Sequence, residues 1–177
     1  MYNIKFVATD GLLVSLINAH SHIDFPAECT TIDEFLNRTP YETCIVTPGN
    51  SFGIMDGGFD EALFDIYPDI EKLVQLEIQK QYGGVLPTNC SLMIKLPETT
   101  QNRKLVKWRW LIYVPTMFYP SQYKTVSRAC FESLLSAFSL FKRTWPNGDA
   151  PQLVFTGMGT TTGGIPPRAA AHQTAQA

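Results

Sequence analysis

The sequence predicts a three-layer α/β/α sandwich with a mixed, largely parallel central sheet and helices on both of its faces. Three observations lead to this fold class. Short apolar runs alternate along the chain with stretches of helical periodicity, the pattern of strands joined by crossover helices. Two of the apolar runs end in glycine-rich loops. Hydrophobic residues make up 45% of the 177 residues, which is enough to bury a substantial core. We expect one domain over residues 1–177.

Six apolar runs have the length and composition of strands, and most are bounded by glycine, proline or polar segments. They lie at residues 4–9, 23–30, 44–47, 91–96, 105–117 and 153–156. The third run (CIVT) is predicted to end at Pro48 and Gly49, because proline cannot donate to a ladder and glycine opens a turn. The polar segment at residues 97–104 is expected to be an exposed, hairpin-like connection.

Six further segments have the spacing or composition of helices. They lie at residues 12–19, 32–36, 59–66, 70–81, 123–143 and 168–177. Tyr67 and Pro68 separate the third helix from the fourth, because the residue before a proline disfavours helical backbone angles. Gly83 and Gly84 follow the fourth helix, as glycines commonly do at a helix C-terminus.

The charge balance excludes a general electrostatic binder of nucleic acid or of anionic membranes. There are 14 basic and 16 acidic side chains, a net charge of -2, and such a chain has no broad basic surface for polyanions. No apolar run approaches the length of a membrane helix, and no signal peptide is recognisable at the N-terminus. The four cysteines are widely spaced and are interpreted as reduced core residues. We expect a cytoplasmic or nuclear monomer without cofactor, membrane contact or direct nucleic-acid binding.

Two strand ends open into glycine-rich loops that contain no lysine, and each loop leads into a helix. The first loop covers residues 47–60 (TPGNSFGIMDGGFD) and the second covers residues 156–167 (TGMGTTTGGIPP). Glycine permits close approach of the backbone, so that successive N–H groups and a helix N-terminus can face a phosphate. The carboxyl ends of parallel strands share one edge of a sheet, where ligands bind. The pair of loops is as compatible with anion or nucleotide binding as with a structural role, whereas a single loop of this kind is more often a purely structural turn.

Other nucleotide-binding patterns do not fit. Neither loop has the lysine of a G-x-x-x-x-G-K-[ST] motif, which argues against NTP hydrolysis of that type. The first loop also lacks the G-x-G-x-x-G spacing of a dinucleotide fold.

The segment at residues 44–63 (CIVTPGNSFGIMDGGFDEAL) resembles the first ligand loop of macro domains, the modules that bind ADP-ribose. That family has an apolar strand, then N-x-A-N, then a glycine run closing as G-G-V-D before a helix. Three further segments match the family in order, at residues 82–87 (YGGVLP), 113–117 (YVPTM) and 157–171 (GMGTTTGGIPPRAAA). The combination NSFGIMDGG is similar to a branch that includes ADP-ribose 1''-phosphate phosphatases.

The resemblance implies catalytic roles for three residues of the first loop. Asn50 would orient the distal ribose, and the structural alternative is an asparagine that caps a turn. Asp60 would activate water as a general base, because an ionised carboxylate accepts a proton; equally, it could stabilise the helix N-terminus. Asp56 is either a second acid/base candidate or a loop cap, and capping is favoured.

The resemblance also implies a set of ligand-binding residues that follow the distal ribose and the diphosphate. They are Ser51, Gly57, Gly58 and Phe59 in the first loop, and Thr156, Gly157, Met158, Gly159, Thr160, Thr161, Thr162 and Gly163 in the second. Phe118 or Tyr119, just after a strand end, is a candidate wall for adenine or ribose.

The sequence departs from the family at two points. Thr31 stands where most macro domains have an aspartate that recognises adenine, and Asp33 could replace it only if the register shifted by two residues. The catalytic lysine of one branch of ADP-ribosyl hydrolases is absent from the first loop.

His20, His22 and Asp24 have the spacing of a metal triad, but a solvated connection is favoured and no metal is expected. One of these histidines could instead donate a proton.

The first functional hypothesis is hydrolysis of ADP-ribose 1''-phosphate to ADP-ribose and phosphate. The alternatives are a non-catalytic ADP-ribose reader, or a hydrolase that removes ADP-ribose from acidic side chains. The expected partners are ADP-ribose, its 1''-phosphate or an ADP-ribosylated protein.

Overall fold

The structure is a computed structural model that describes residues 2–97, 107–123 and 127–177. The strands of these residues are β1 (Ile4–Ala8), β2 (Ala27–Cys29), β3 (Thr43–Asn50), β4 (Leu92–Lys95), β5 (Trp108–Met117) and β6 (Gln152–Phe155). The helices are α1 (Gly11–Asn18), α2 (Ile32–Arg38), α3 (Gly58–Ile66), α4 (Ile70–Tyr82), α5 (Ala129–Thr144) and α6 (Pro167–Gln176). None of the helices in these ranges is long and apolar enough to cross a membrane.

The strands form one sheet in the order β2-β1-β6-β3-β5-β4. Every neighbouring pair is parallel except β4 and β5, which are antiparallel. The carboxyl ends of β1, β3, β5 and β6 therefore lie at the same edge of the sheet. Both glycine-rich loops start from this edge, as the sequence predicted.

Helices cover both faces of the sheet, so the predicted three-layer fold class is confirmed. On one face, Phe155 of β6 belongs to a core cluster with Leu13 of α1 and Leu134 of α5, and α6 joins the same cluster. On the other face, Ile45 of β3 clusters with Leu63 of α3 and with buried residues of α2 and α4. All these apolar side chains lie between sheet and helices, where they are removed from water.

β3 is longer than predicted, because it continues through Pro48 to Asn50. The ladder between β3 and β6 covers only Thr43–Ile45, whereas the ladder with β5 continues to Asn50. Pro48 thus lies where β3 pairs on one side only, so its missing N–H interrupts no second ladder. A proline therefore fits near the end of β3, although the first three residues of this strand are paired on both sides.

β2 is shorter than predicted, with three residues in place of the predicted span of 23–30. The side chain of Asn18 donates to the Ala27 carbonyl and accepts from the Ala27 N–H, both at 2.9 Å. A turn from His20 to Ile23 occupies the start of the predicted strand. The α1–β2 connection is therefore held by turns and by one amide side chain.

Two predicted elements extend beyond the described residues. β5 starts at Trp108, and residues 98–106 of the predicted connection and strand lie outside the described residues. The helix predicted from residue 123 starts at Ala129, and residues 124–126 likewise lie outside them. β4 and β5 are antiparallel, and the predicted hairpin-like connection between them lies almost wholly outside the described residues. Cys44 and Cys130 are buried as predicted, but Cys29 is exposed, at the edge strand of the sheet.

Candidate functional site

A cleft opens at the carboxyl ends of β3 and β5, between the two glycine-rich loops. We call it the first cleft. It is lined by Pro48, Gly49, Asn50, Asp56, Gly57, Asp60, Thr116, Met117, Pro120, Gly159, Thr161, Thr162 and Gly163. The structure therefore brings together Asn50, Asp56 and Asp60, the three residues predicted to be catalytic, although they lie on a strand end, a loop and a helix.

The side chain of Asn50 organises the first loop. Its Oδ1 accepts hydrogen bonds from the N–H groups of Phe52 at 3.1 Å and Ile54 at 3.3 Å, and its Nδ2 donates to the Ile54 carbonyl at 2.7 Å. One N–H of the amide remains to meet a ligand in the cleft. Asn50 thus has the turn-capping role that the sequence left open, and it also lines the cleft.

Groups outside the first loop hold its backbone in place. The Met55 N–H donates to Glu71 Oε2 of α4 at 2.8 Å, and the Leu86 N–H donates to the Ser51 carbonyl at 2.9 Å. The Ser51 N–H in turn donates to the end of β5, at the Met117 carbonyl. These tertiary hydrogen bonds fix the loop before any ligand arrives, which limits the entropy lost on binding.

Asp60 is the buried acid of the first cleft. It lies in the first turn of α3 and is only 7% exposed. Burial raises the pKa of its carboxyl well above the ordinary value, its own backbone N–H opposes this, and the charges of Asp56 and Glu61 raise the pKa further. The shift is towards the neutral acid, whereas the sequence interpretation had the carboxylate act as a general base. A neutral carboxyl group in a cleft can donate a proton.

The second loop is fixed by Tyr123. The Tyr123 N–H donates to the Gly163 carbonyl at 3.1 Å, and its hydroxyl donates to the Thr116 carbonyl. A Cβ at position 163 would lie 2.5 Å from the Tyr123 ring, so only glycine allows the loop to approach this closely. Tyr123 thereby links the second loop to the end of β5.

A second cleft adjoins the first, and Thr161 lines both. Its lining residues are Ala8, Thr9, Asp10, Leu13, Thr30, Thr31, Ile32, Gly58, Phe59, Ala62, Thr156, Thr160 and Thr161. The two loops meet between the clefts, where a Cβ on Gly58 would lie 2.5 Å from Thr161 Oγ1. Gly58 also has a φ of +63°, so a residue with a side chain is doubly disfavoured there.

The second cleft combines apolar walls with one carboxylate. Asp10 caps α1, because its Oδ1 accepts from the N–H groups of Leu12 at 2.9 Å and Leu13 at 3.1 Å. Thr31 caps α2 in a capping box with Glu34, so its Oγ1 already accepts the Glu34 N–H at 3.1 Å. Asp10 is therefore the acidic side chain that this cleft offers, and Thr31 is occupied in capping a helix.

The lining of the two clefts contains no lysine or arginine within the described ranges. Negative charge would be met by backbone N–H groups and by the N-terminus of α3, which starts after Gly57 without a side-chain cap. Such a terminus carries unsatisfied donors and the positive end of the helix dipole. The geometry is that of a backbone anion site next to an apolar cleft.

The sequence model of the macro-like domain family matches residues 11–177. The chain belongs to this family. Its fold is similar to the macrodomain of Mycobacterium tuberculosis DarG, with a TM-score of 0.60 and 14% identity over 80% of this chain and 83% of that one.

Two further solved structures are similar to this macro-like domain. The Oceanobacillus iheyensis macrodomain with ADP has a TM-score of 0.56 and 19% identity, over 76% of this chain and 68% of that one. Thermosipho africanus DarTG in complex with ADP-ribose has a TM-score of 0.53 and 15% identity, over 71% of this chain and 31% of that one. At such identities, these likenesses concern the fold alone.

The predicted ligand residues of the macro-like domain separate into lining and supporting positions. Gly57, Gly58, Phe59, Thr156, Gly159, Thr160, Thr161, Thr162 and Gly163 line one or both clefts. Met158 is fully buried in the core, and Ser51 of the first loop is also fully buried. Gly157 packs under Leu13, where a Cβ would lie 2.6 Å from that side chain. These last three residues line neither cleft, and their assignment as ligand contacts stays a prediction.

Phe118 and Tyr119, the predicted wall for adenine or ribose, line neither of the two clefts. Phe118 and Tyr119 are 60% and 62% exposed and cluster with Phe52 at the rim, with ring centroids 5.1 and 6.1 Å from that of Phe52. The aromatic ring that lines the second cleft is Phe59. The direction of side chains after a strand end depends on the turn there, so the sequence did not determine it.

Sequence reasoning missed Asp10 and Leu13 in the second cleft, and Thr116 in the first. The signal for Asp10 was present, since Asp-Gly follows the end of β1 and precedes a helix. Asp10 lies outside the two glycine-rich loops on which the predicted site rests.

The histidine and aspartate trio does not form a metal site. His20 and His22 have ring centroids 5.8 Å apart, and His172 of α6 lies 6.4 Å from His20. Within the part of the chain that the structure describes, no group of three or more histidine, cysteine or acidic side chains could hold a metal ion.

Substitution of Asp60 by asparagine is expected to stabilise the protein in a pH-dependent way. A carboxyl group whose pKa is raised on folding contributes stability that is lost as pH rises from about 4 through the raised pKa. Asp60→Asn should therefore raise the melting temperature at pH 8, by about 2 °C or more, and change it less at pH 4.

The control is Asp65→Asn, the same substitution at an exposed position of the same helix, which should have little effect at either pH. Melting curves followed by circular dichroism at both pH values provide the measurement. An equal effect of Asp60→Asn at pH 4 and pH 8 would contradict the raised pKa.

Proposed function

We propose that this macro-like domain binds ADP-ribose compounds across the two clefts and hydrolyses ADP-ribose 1''-phosphate to ADP-ribose and phosphate. The observation that carries the proposal is the position of Asp60, a buried acid that lines the first cleft together with both glycine-rich loops. The similar folds solved with ADP and with ADP-ribose support the ligand class.

The adenine base occupies the second cleft in this proposal. Leu13, Ile32 and Phe59 offer apolar and aromatic surface to a flat ring. The exocyclic amine of adenine is a hydrogen-bond donor, and Asp10 supplies an acceptor. Asp10 would thus replace the aspartate that is absent at position 31.

The diphosphate passes between the loops, where Gly57, Gly58 and Thr161 meet. The distal ribose and its 1''-phosphate reach the first cleft, beside Asn50 and Asp60. Backbone N–H groups of the loops and of the first turn of α3 bind the phosphates and stabilise negative charge that develops during the reaction.

Hydrolysis then requires one proton donor and one water molecule. Water attacks phosphorus while the bond from phosphorus to the 1''-oxygen breaks, and Asp60 donates its proton to that oxygen to form the anomeric hydroxyl of ADP-ribose. The attacking water loses a proton as phosphate forms, and this proton restores the Asp60 acid. Asp56, exposed at the rim of the same cleft, positions the water.

A non-catalytic ADP-ribose reader is the second candidate. It is favoured by the side chain of Asn50, because that amide is largely committed to Phe52 and Ile54. A reader needs the two clefts and the loop donors but does not need Asp60 as an acid. Turnover separates the two functions.

Calorimetric titration with ADP-ribose tests the binding proposal. We expect saturable 1:1 binding, with an affinity that changes less than about threefold between 0.05 and 0.5 M NaCl, because backbone donors and no cationic side chains meet the diphosphate. Lack of binding would remove both candidate functions. A steep loss of affinity with salt would contradict a backbone anion site.

Phosphate release from ADP-ribose 1''-phosphate tests catalysis. Asp60→Asn should lower kcat about 100-fold, whereas the affinity for ADP-ribose should be unchanged. Asp65→Asn on the same helix, outside both clefts, should retain wild-type turnover. If the wild-type protein binds ADP-ribose but releases no phosphate, the reader is supported; release of ADP-ribose from modified acidic side chains would instead support the third hypothesis.

Asp10→Asn tests the placement of the base. Asparagine retains the cap of α1, but it can offer its amide nitrogen, a donor, where the aspartate offered an acceptor. The variant should bind ADP-ribose at least tenfold more weakly, and should bind the hypoxanthine analogue, which has an oxygen in place of the amine, relatively better than the wild type does. Unchanged selectivity between the two nucleotides would exclude Asp10 as the base-recognising residue.

A further inference from the structure

One buried hydroxyl group contacts both polar groups of the Asn50 backbone. The Asn50 N–H donates to the Tyr113 hydroxyl oxygen at 2.9 Å, and the Tyr113 hydroxyl donates to the Asn50 carbonyl at 3.0 Å. Tyr113 is fully buried in β5 and does not line either cleft. Its hydroxyl thus holds Asn50, the last residue of β3, from within the core.

The ladder of hydrogen bonds between β3 and β5 is irregular at Asn50. The pairing of β3 with β5 runs from Gly49 opposite Pro115 to Asn50 opposite Met117, so Thr116 is an extra residue on β5. Pro115 has no N–H to donate, and the extra residue interrupts the ladder at this point. The tyrosine hydroxyl supplies both a donor and an acceptor where the ladder is irregular.

Space for the tyrosine ring is made by Gly49. A Cβ at this position would lie 2.1 Å from the Tyr113 hydroxyl oxygen and 2.2 Å from its Cζ. Gly49 is not among the glycines with positive φ, so glycine is required here for the close approach and not for its backbone angles. Gly49 and Tyr113 therefore act as one unit beneath the cleft.

The tyrosine remains a hydrogen-bond donor over the whole physiological pH range. Burial raises the pKa of Tyr113 above its ordinary value. A deprotonated tyrosine would lose the bond to the Asn50 carbonyl, and the environment prevents that loss.

We propose that Tyr113 is the positioning residue of the first cleft, where its hydroxyl fixes the Asn50 backbone and so orients the Asn50 side chain and the loop that follows. The proposal rests on the proposed function, because Asn50 and this loop are the parts that meet the distal ribose. Tyr113 acts through Asn50 and touches no ligand atom itself.

Tyr113→Phe removes the hydroxyl and keeps the ring. We expect the affinity for ADP-ribose to fall at least tenfold, whereas AMP, which reaches only the second cleft, binds as to the wild type. Tyr2→Phe is the matched control. The Tyr2 hydroxyl donates to the Trp145 carbonyl at 2.8 Å, and neither residue lines a cleft. That variant should leave both affinities unchanged.

Hydrogen exchange of the Asn50 amide gives a measurement that requires no ligand. In the wild-type protein this amide should exchange slowly, and in Tyr113→Phe it should exchange at least tenfold faster, with little change for amides of β6. An unprotected Asn50 amide in the wild type would overturn the proposal even if the variant does not fold.

Two further outcomes would also decide against the proposal. Equal loss of affinity for ADP-ribose and AMP in Tyr113→Phe would indicate a general loss of structure. Unchanged affinity for both nucleotides would show that the Tyr113 hydroxyl is not needed to position Asn50 and the first loop for binding. If the wild type binds neither nucleotide, the proposed function fails, whereas the exchange of the Asn50 amide still tests the role of Tyr113.

Discussion

The end of β3 is the constraint on which the rest of the site depends. Over its first three residues this strand is paired on both sides, and over its last five it is paired with β5 alone. These last residues include Gly49 and Asn50, which line the first cleft together with residues of both loops. A strand paired along its whole length would have closed that space with a further ladder.

The electrostatics of the site depend on backbone N–H groups, because the two clefts offer these groups as donors to an anion. Neither cleft presents a cationic side chain among its described lining residues, so a diphosphate would be met only by partial charges on N–H groups and a helix N-terminus. An ionised Asp60 at the same helix N-terminus would compete for those donors and repel the ligand. The raised pKa of Asp60 lowers this cost, because the neutral acid adds no negative charge to the cleft. The raised pKa of Asp60 is thus consistent with anion binding at a site whose lining has no lysine.

The sequence predicted the elements and the loops well because both are local properties. Alternating apolar runs and helical spacing located all the described strands and helices, and the glycine runs marked the loops. The residues that line the clefts are harder to predict, because Ser51, Gly157 and Met158 belong to the same loop segments but line neither cleft. Glycine-rich turns have no fixed alternation of side chains, so spacing cannot distinguish a residue that lines a cleft from one that supports it.

Other features depend on contacts between distant parts of the chain and were not accessible from local pattern. Asp10 reaches the second cleft only because β1 pairs beside β6, and the raised pKa of Asp60 results chiefly from its burial in the folded chain.

The role of Tyr113 shows the same limit most clearly. In the sequence it is one aromatic residue in an apolar strand, for which core packing is the natural interpretation, and it is indeed fully buried. Its hydroxyl becomes relevant to the site only because Thr116 shifts the register of β5 against β3 and Gly49 leaves room for the ring. A phenylalanine would satisfy the same hydrophobic pattern but would leave the Asn50 N–H and carbonyl without their buried partner, at a cost of about 1–3 kcal/mol for each group. The polar atom of a core side chain thus determines the geometry of the loop above it, although the pattern of the strand reveals only its apolar part.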